Sequence, residues 1–193
     1  CPVPKADGQT WTGIIPRNAL KHIQQRLSCA GTAMIGLTNN RLFQISVGSL
    51  VMTARLLDGT YPNWKSLAPK KTANALTVST EGLKQAIGRV SLVATDGLLS
   101  LSYHEDGVTV AATSPELGEA SEDLAGAYVG DPFMSGFQIA YLLESISAME
   151  SDVVVLQQAG KLDALSIVDP ALSTNRTFLM PARLGAALNS SGD

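Results

Sequence analysis

The chain has little of what metal centres, disulfide scaffolds and membrane spans are built from. Among its 193 residues are two cysteines and two histidines. Cys1 and Cys29 are too few for a disulfide framework and read as reduced thiols of a cytosolic protein. Lipidation of Cys1 after removal of a leader is the remote alternative. His22 lies beside the apolar face of a predicted helix and His104 at a strand end. Neither has Cys or carboxylate neighbours at ligand spacing, so both read as surface or helix-edge residues and no metal site is expected. No apolar run approaches the roughly 20 residues that cross a bilayer, and no signal peptide is visible. A cytoplasmic location without a membrane partner is therefore expected. Excess positive charge is missing too: 14 Lys and Arg face 17 Asp and Glu, a net charge of -3. That excludes blanket electrostatic coating of nucleic acid, while a local basic face on an acidic body remains open.

Catalytic constellations are also lacking. Gly31 and Gly36 have the spacing of a phosphate loop, but no Lys-Ser/Thr follows them and a strand run starts between them. No G-x-S-x-G elbow is present. Asp58, Asp96, Glu105 and Asp106 fall in turn contexts, where a solvated acid is the default. Glu116, Glu119, Glu122 and Asp123 read as a charged, solvated strand edge. No enzyme and no cofactor is expected.

What the sequence does contain is a repeat. Arg17–Leu27, Thr80–Val93 and Gln138–Met149 carry apolar residues at helical spacing. Leu20, Leu83 and Leu142 hold matching places in them, roughly 60 residues apart. A strand-like run precedes each helix: 12–15, 75–78 and 133–137. Further strand-like runs follow each: 33–37, 42–47 and 50–56; then 98–103, 108–113 and 118–123; then 153–157, 164–168 and 176–180. Asn39-Asn40, Glu105-Asp106-Gly107 and Ala159-Gly160-Lys161 supply the turns. The fold class is α+β: three β-α-β-β-β units, with helices on one face and antiparallel sheet on the other. One such unit cannot bury its own sheet, so units should pair, and three is an odd number to pair.

Two stretches exceed generic structure. In Arg55-Leu56-Leu57-Asp58-Gly59-Thr60-Tyr61-Pro62-Asn63-Trp64 a strand ends in an Asp-Gly turn followed by aromatics around a proline. It reads as a rigid connector anchored by Tyr61 and Trp64 and leading to Leu67-Ala68-Pro69-Lys70-Lys71. In Thr177-Phe178-Leu179-Met180-Pro181-Ala182-Arg183-Leu184 an apolar last strand is closed by proline. Taken in this order around the repeats, they resemble the bacterial DNA sliding clamp family, the beta subunit of DNA polymerase III. The first is similar to the family's L-x-D-G-x-[FY]-P-[DN]-[YW] and the second to its C-terminal [YF]-x-M-P-x-R-L. Ile15-Pro16-Arg17 and Leu83-Lys84-Gln85-Ala86 fit as well.

The resemblance implies a processivity factor rather than an enzyme. Residues 1–69 would be half of a middle clamp domain with its linker, 70–184 a complete C-terminal clamp domain, and 185–193 a flexible tail. It implies a groove for short hydrophobic peptides of polymerases, clamp-loader subunits and repair proteins. Pro62, Ser66 and Leu67 would line the linker side, and Phe178, Leu179, Met180, Pro181, Ala182 and Arg183 the C-terminal side. Ser66 stands where the family often has Arg, and Ala182 where it often has Met, which implies a shallower, less charged wall. Arg17, Lys21 and Gln25 on the first helix, with Lys84 and Arg89 on the second, would face duplex DNA without sequence readout. An ordinary solvated helix face is the competing reading. The third helix carries Glu144, is followed by Glu150, and holds no base.

No segment matches the family's first domain or the first half of its second, so this chain alone is not expected to close the usual ring. A fragment of a full clamp, a naturally short clamp-like protein, and a homodimer that pairs the orphan units by two-fold symmetry all fit. The alternative function is a truncated clamp-like interaction protein that self-associates or sequesters partners without encircling DNA.

Overall fold

The computed structural model describes residues 13–27, 32–38, 41–61, 63, 74–172 and 176–184. Two compact units divide the chain, Cys1–Pro62 and Asn63–Asp193.

In the first unit, helix α1 (Arg17–Leu27) follows Pro16, whose fixed φ suits a helix start. Strands β1 (Ala33–Thr38), β2 (Leu42–Val47) and β3 (Leu50–Arg55) form an antiparallel sheet in that order. The expected leading strand is reduced to one bridge, Ile14 to Leu57, and Thr12 lies outside the described residues. The core is small: Ile23, Phe43 and Ile45 are its buried members. Leu20 and Leu27 of α1, Met34 and Ile35 of β1, and Leu50 and Val51 of β3 all remain exposed. A single repeat thus leaves much of its apolar surface uncovered. Tyr61, expected to anchor the connector, is 64% exposed; Trp64 lies outside the described residues.

In the second unit two repeats interlock. The first comprises β4 (Ala75–Ser79), α2 (Thr80–Val90), β5 (Leu98–His104), β6 (Gly107–Ser114) and β7 (Gly118–Val129). The second comprises β8 (Phe133–Gln138), α3 (Ile139–Ser147), β9 (Val153–Gln157), β10 (Leu165–Val168) and β11 (Arg176–Leu179). All pairs are antiparallel, in the order β11-β10-β9-β4-β7-β6-β5-β8. Each repeat lends its leading strand to the other: β4 pairs with β9 and β8 pairs with β5. The core-facing side of that exchange is dry, with Leu76, Leu99, Leu101, Leu156 and Ile167 almost fully buried. At roughly 1.5–3 kcal/mol per buried large aliphatic side chain, this shared core is what a single repeat lacks.

The helices form where the sequence places caps and stripes. Ser79 caps α2, its hydroxyl accepting from Gly82 N–H at 3.2 Å, and Leu83, Ala86, Ile87 and Val90 are buried at helical spacing. α2 stops at Val90, short of the expected Val93, because Leu92 and Val93 turn away in tighter i to i−3 bonds to the Arg89 and Val90 carbonyls. α3 has no side-chain cap; Ile139 N–H donates instead to Gly97 carbonyl at 2.9 Å.

The acidic strand edge is corrected. β7 runs six residues past Asp123, and its later half pairs with β4, so β7 lies inside the sheet order. Glu122 pairs with Arg89, and Asp123 accepts from the Thr109 hydroxyl at 2.5 Å. Glu116 and Glu119 are exposed.

Candidate peptide-docking site and DNA-facing helices

The C-terminal stretch is a strand that leaves one sheet edge and joins the other. Leu179 ends β11 opposite Leu165 of β10. Met180 and Pro181 leave the ladder, since Pro181 has no N–H to contribute. The chain then re-engages: Ala182 N–H donates to Gly136 carbonyl at 2.8 Å, a bridge to β8 at the far end of the sheet order. The Met180-Pro181 step is therefore held from both sides. Met180 is 52% exposed on it, a flexible thioether presented by a fixed backbone.

Shallow grooves flank this stretch. One lies against α3, where Tyr141, Glu144, Ser145 and Ala148 face Thr177, Phe178 and Leu179. The other lies against β8 and the turn after β9, where Met134, Gly136, Lys161 and Leu162 face Ala182, Arg183 and Leu184. Phe178, Leu179, Ala182 and Arg183 thus each line one of the two grooves. Pro62, Ser66 and Leu67 lie outside the described residues. Two groove residues escaped the sequence reading: Tyr141, 53% exposed, and Leu162, 73% exposed. Their signal was available, since an aromatic one place off an apolar helical stripe and a leucine in a turn are both misplaced for a core.

Buried polar groups fix the surroundings. The fully buried Asp169 carboxylate accepts from Glu150 N–H at 2.8 Å, from Ala171 N–H at 3.0 Å, and from the Ser151 hydroxyl and N–H. The Ser151 hydroxyl, then the Glu150 N–H, hold its pKa down to about 2. This carboxylate ties the loop after α3 to the loop before β11. Buried Gln158 donates to the Ser135 hydroxyl at 3.0 Å and to Asp163 carbonyl at 2.9 Å; Ser135 in turn donates to Lys161 carbonyl at 3.1 Å. The turn carrying Lys161 and Leu162 is thereby tied to β8.

A sequence model of the DNA polymerase III beta subunit, C-terminal domain, matches residues 65–183. The chain belongs to this family. It is 25% identical to the Beta sliding clamps of Salmonella typhimurium and Escherichia coli K12 across 89% of its own length. It spans about half the length of these relatives, 47% of each. Among solved structures, the sliding clamp of Bartonella birtlesii bound to griselimycin superposes with a TM-score of 0.82 at 29% identity. That match covers 89% of this chain and 47% of the other. The Caulobacter crescentus beta sliding clamp superposes with a TM-score of 0.86 over 95% of this chain and 50% of that one. At 23% identity it speaks for the fold alone. The matched region contains the whole C-terminal stretch from Arg176 to Arg183.

The clamp-family reading also nominated helix residues, and the structure separates them. Arg17, Lys21 and Gln25 are exposed on α1, which carries Arg26 as well and no acid. On α2, Arg89 is engaged by Glu122 of β7, with contacts of 2.9 Å and 2.5 Å from its guanidinium to the two carboxylate oxygens. That hydrogen bonding raises the Arg89 pKa and lowers that of Glu122. Lys84 is half-buried beside Glu81, Glu150 and Asp152. On α2 one cation is thus paired and the other lies beside acids, whereas Lys21 and Arg26 of α1 have no acid on their own helix. No described helix is long and apolar enough to cross a membrane.

Proposed function

We propose that this chain is the second half of a middle clamp domain followed by a C-terminal clamp domain, the split falling near residue 69. In this reading it is part of a processivity factor, a non-enzymatic cytoplasmic protein that tethers replication and repair proteins to DNA. Its partners are polymerase and clamp-loader subunits that dock a short hydrophobic peptide on the Phe178–Arg183 stretch, and a further copy with which it assembles as a homodimer.

One observation carries the peptide reading. Met180 is exposed on a backbone fixed at Leu179 by β10 and at Ala182 by β8, with a groove on either side, the one against α3 mostly apolar. A large thioether on a rigid step, with grooves beside it, suits the capture of a peptide's apolar side chains. Support for a DNA-facing role comes from α1, whose Lys21 and Arg26 meet no acid on their own helix. Contacts to phosphate from such a face allow sliding and read no sequence.

Fluorescence titration of a labelled hydrophobic peptide into the chain tests the first part. Saturable binding that weakens about ten-fold or more in Met180→Ala is expected, in the range of a hot-spot residue. Equal binding by the variant refutes the assignment. Retention on circular duplex DNA that is lost on linearisation tests encirclement by an assembly of this chain.

A further inference from the structure

The groove between β8 and the C-terminal stretch combines apolar walls with charge of one sign. Met134, Leu162, Ala182 and Leu184 supply the apolar lining, and its charged lining residues are Lys161 and Arg183, both exposed cations. Among the described residues neither has an acid within ion-pair distance. Asp163, two residues from Lys161, is not part of the lining. The charge is also segregated: the groove on the other side of the same stretch has Glu144 and no cation in its lining.

Two consecutive residues of β8 bring the cations together. Ser135 holds Lys161, donating its hydroxyl to the Lys161 carbonyl at 3.1 Å. Gly136 holds the neighbour of Arg183, accepting from Ala182 N–H at 2.8 Å. Residues far apart in sequence are thus pinned to adjacent positions of one strand. The Lys161 turn is further fixed by Gln158, which is buried and bonded to both Ser135 and Asp163 carbonyl. Cations on a fixed backbone beside an apolar lining form a site selective for charge of the opposite sign.

We infer that the segment docking here is an acidic hydrophobic peptide, one whose apolar anchor is flanked by Asp or Glu that meets Lys161 and Arg183. The inference rests on the peptide-docking reading above and names the chemistry of its partner. It gives the peptide a polarity as well, its acidic end toward β8 and away from Glu144 of α3.

The test uses the full chain and three fluorescein-labelled peptides sharing one Leu-Phe core, flanked on both sides by two Asp, two Asn or two Lys. All are C-terminally amidated, so that a terminal carboxylate cannot contribute. At low salt the Asp peptide is expected to bind about ten-fold tighter than the Asn peptide, and the Lys peptide weaker than both. The advantage should shrink as salt rises to about 0.5 M, because exposed charges are screened. Lys161→Glu with Arg183→Glu should reverse the order in favour of the Lys peptide. Lys161→Gln alone should reduce the ratio of Asp-peptide to Asn-peptide affinity. Equal binding of the Asp and Asn peptides overturns the inference and leaves peptide docking standing, as does an Asp preference that survives the double reversal. Failure of all three peptides to bind overturns the docking reading itself.

Discussion

The carbonyl of Gly136 accepts the Ala182 N–H at 2.8 Å, joining the last segment of the chain to the strand at the opposite end of the sheet order. The contact is close because Gly136 has no side chain. A Cβ there would stand 2.8 Å from the Ala182 carbonyl oxygen and 2.5 Å from the Leu184 side chain. The leucine can rotate away, but the carbonyl belongs to the backbone that presents Met180. Gly136→Ala is therefore expected to destabilise by about 1–3 kcal/mol, the usual cost of overpacking. It should also weaken peptide docking, since the Met180 step loses its second anchor. Gly88, within α2 and with open space where its Cβ would be, is the contrast. Gly88→Ala is expected to stabilise by about 0.5–1 kcal/mol through helix propensity. Chemical denaturation of both variants, with peptide titration of the first, checks the pair. An unchanged midpoint in Gly136→Ala would show that the bridge is dispensable.

Much of this architecture was legible because apolar periodicity and turn residues agree. α1 and β9 have the bounds that their periodicity and flanking turns set, Arg17–Leu27 and Val153–Gln157. The failures have physical causes. The strand-like run 118–123 stops short of β7, which continues through Gly126 to Val129. A Cβ at Gly126 would stand 2.8 Å from the Thr77 carbonyl oxygen, so the glycine marks close approach of β4 rather than a strand end. The re-entry at Ala182 was hidden by Pro181, which ends one ladder without preventing the next. On the candidate site, the Phe178–Arg183 stretch is the side that a motif picks out. Tyr141 and Leu162 leave only the signal of apolar residues misplaced for a core, and Lys161 leaves none, because they reach the same stretch only through the sheet order. The pairing of Arg89 with Glu122 spans two elements, and no local pattern announces it.

Asp169 makes the second unit acid-sensitive. Its carboxylate is buried and its pKa is held down to about 2 by the Ser151 hydroxyl and the surrounding N–H groups. In the unfolded chain it returns to the ordinary carboxylate value near 4. A depressed folded pKa gives stability that is present above about pH 4 and is lost as pH falls from there toward about 2. Asp169→Asn, which cannot accept from all these donors, is expected to lower the melting temperature at pH 7. The gap from wild type should narrow between pH 4 and pH 2. A gap that stays constant across that window would remove the carboxylate from the account of acid sensitivity.

Tyr103 offers a stabilising change. Its ring is buried against Phe133 and Tyr128, with centroids 4.8 and 5.7 Å away. Its hydroxyl is buried without a hydrogen-bond partner among the described residues, and burial pushes its pKa well up. Removing an unsatisfied buried hydroxyl while keeping the ring relieves a desolvation cost of about 1–3 kcal/mol. Tyr103→Phe is expected to raise the midpoint of denaturation or leave it level. A clear loss of stability would mean that the hydroxyl has a partner after all.

The contrast between α1 and α2 makes the DNA reading testable residue by residue. Arg89 is already matched by Glu122, so phosphate would have to displace a two-point carboxylate contact to reach it. α1 offers Lys21 with no acid on its own helix. On duplex DNA, Arg89→Ala is expected to weaken affinity less than Lys21→Glu and to leave the salt slope unchanged, because it frees the Glu122 charge but removes no phosphate contact. Glu122→Gln should tighten binding by releasing that charge. Lys21→Glu should weaken binding uniformly across sequences and reduce the slope of log K against log salt by about 1, the signature of one lost phosphate contact. Fluorescence anisotropy with one duplex over a range of salt concentrations reads all three variants. If Arg89→Ala loses as much affinity as Lys21→Glu, α2 meets the backbone despite its partner. If neither variant changes the salt slope, neither helix lies on DNA.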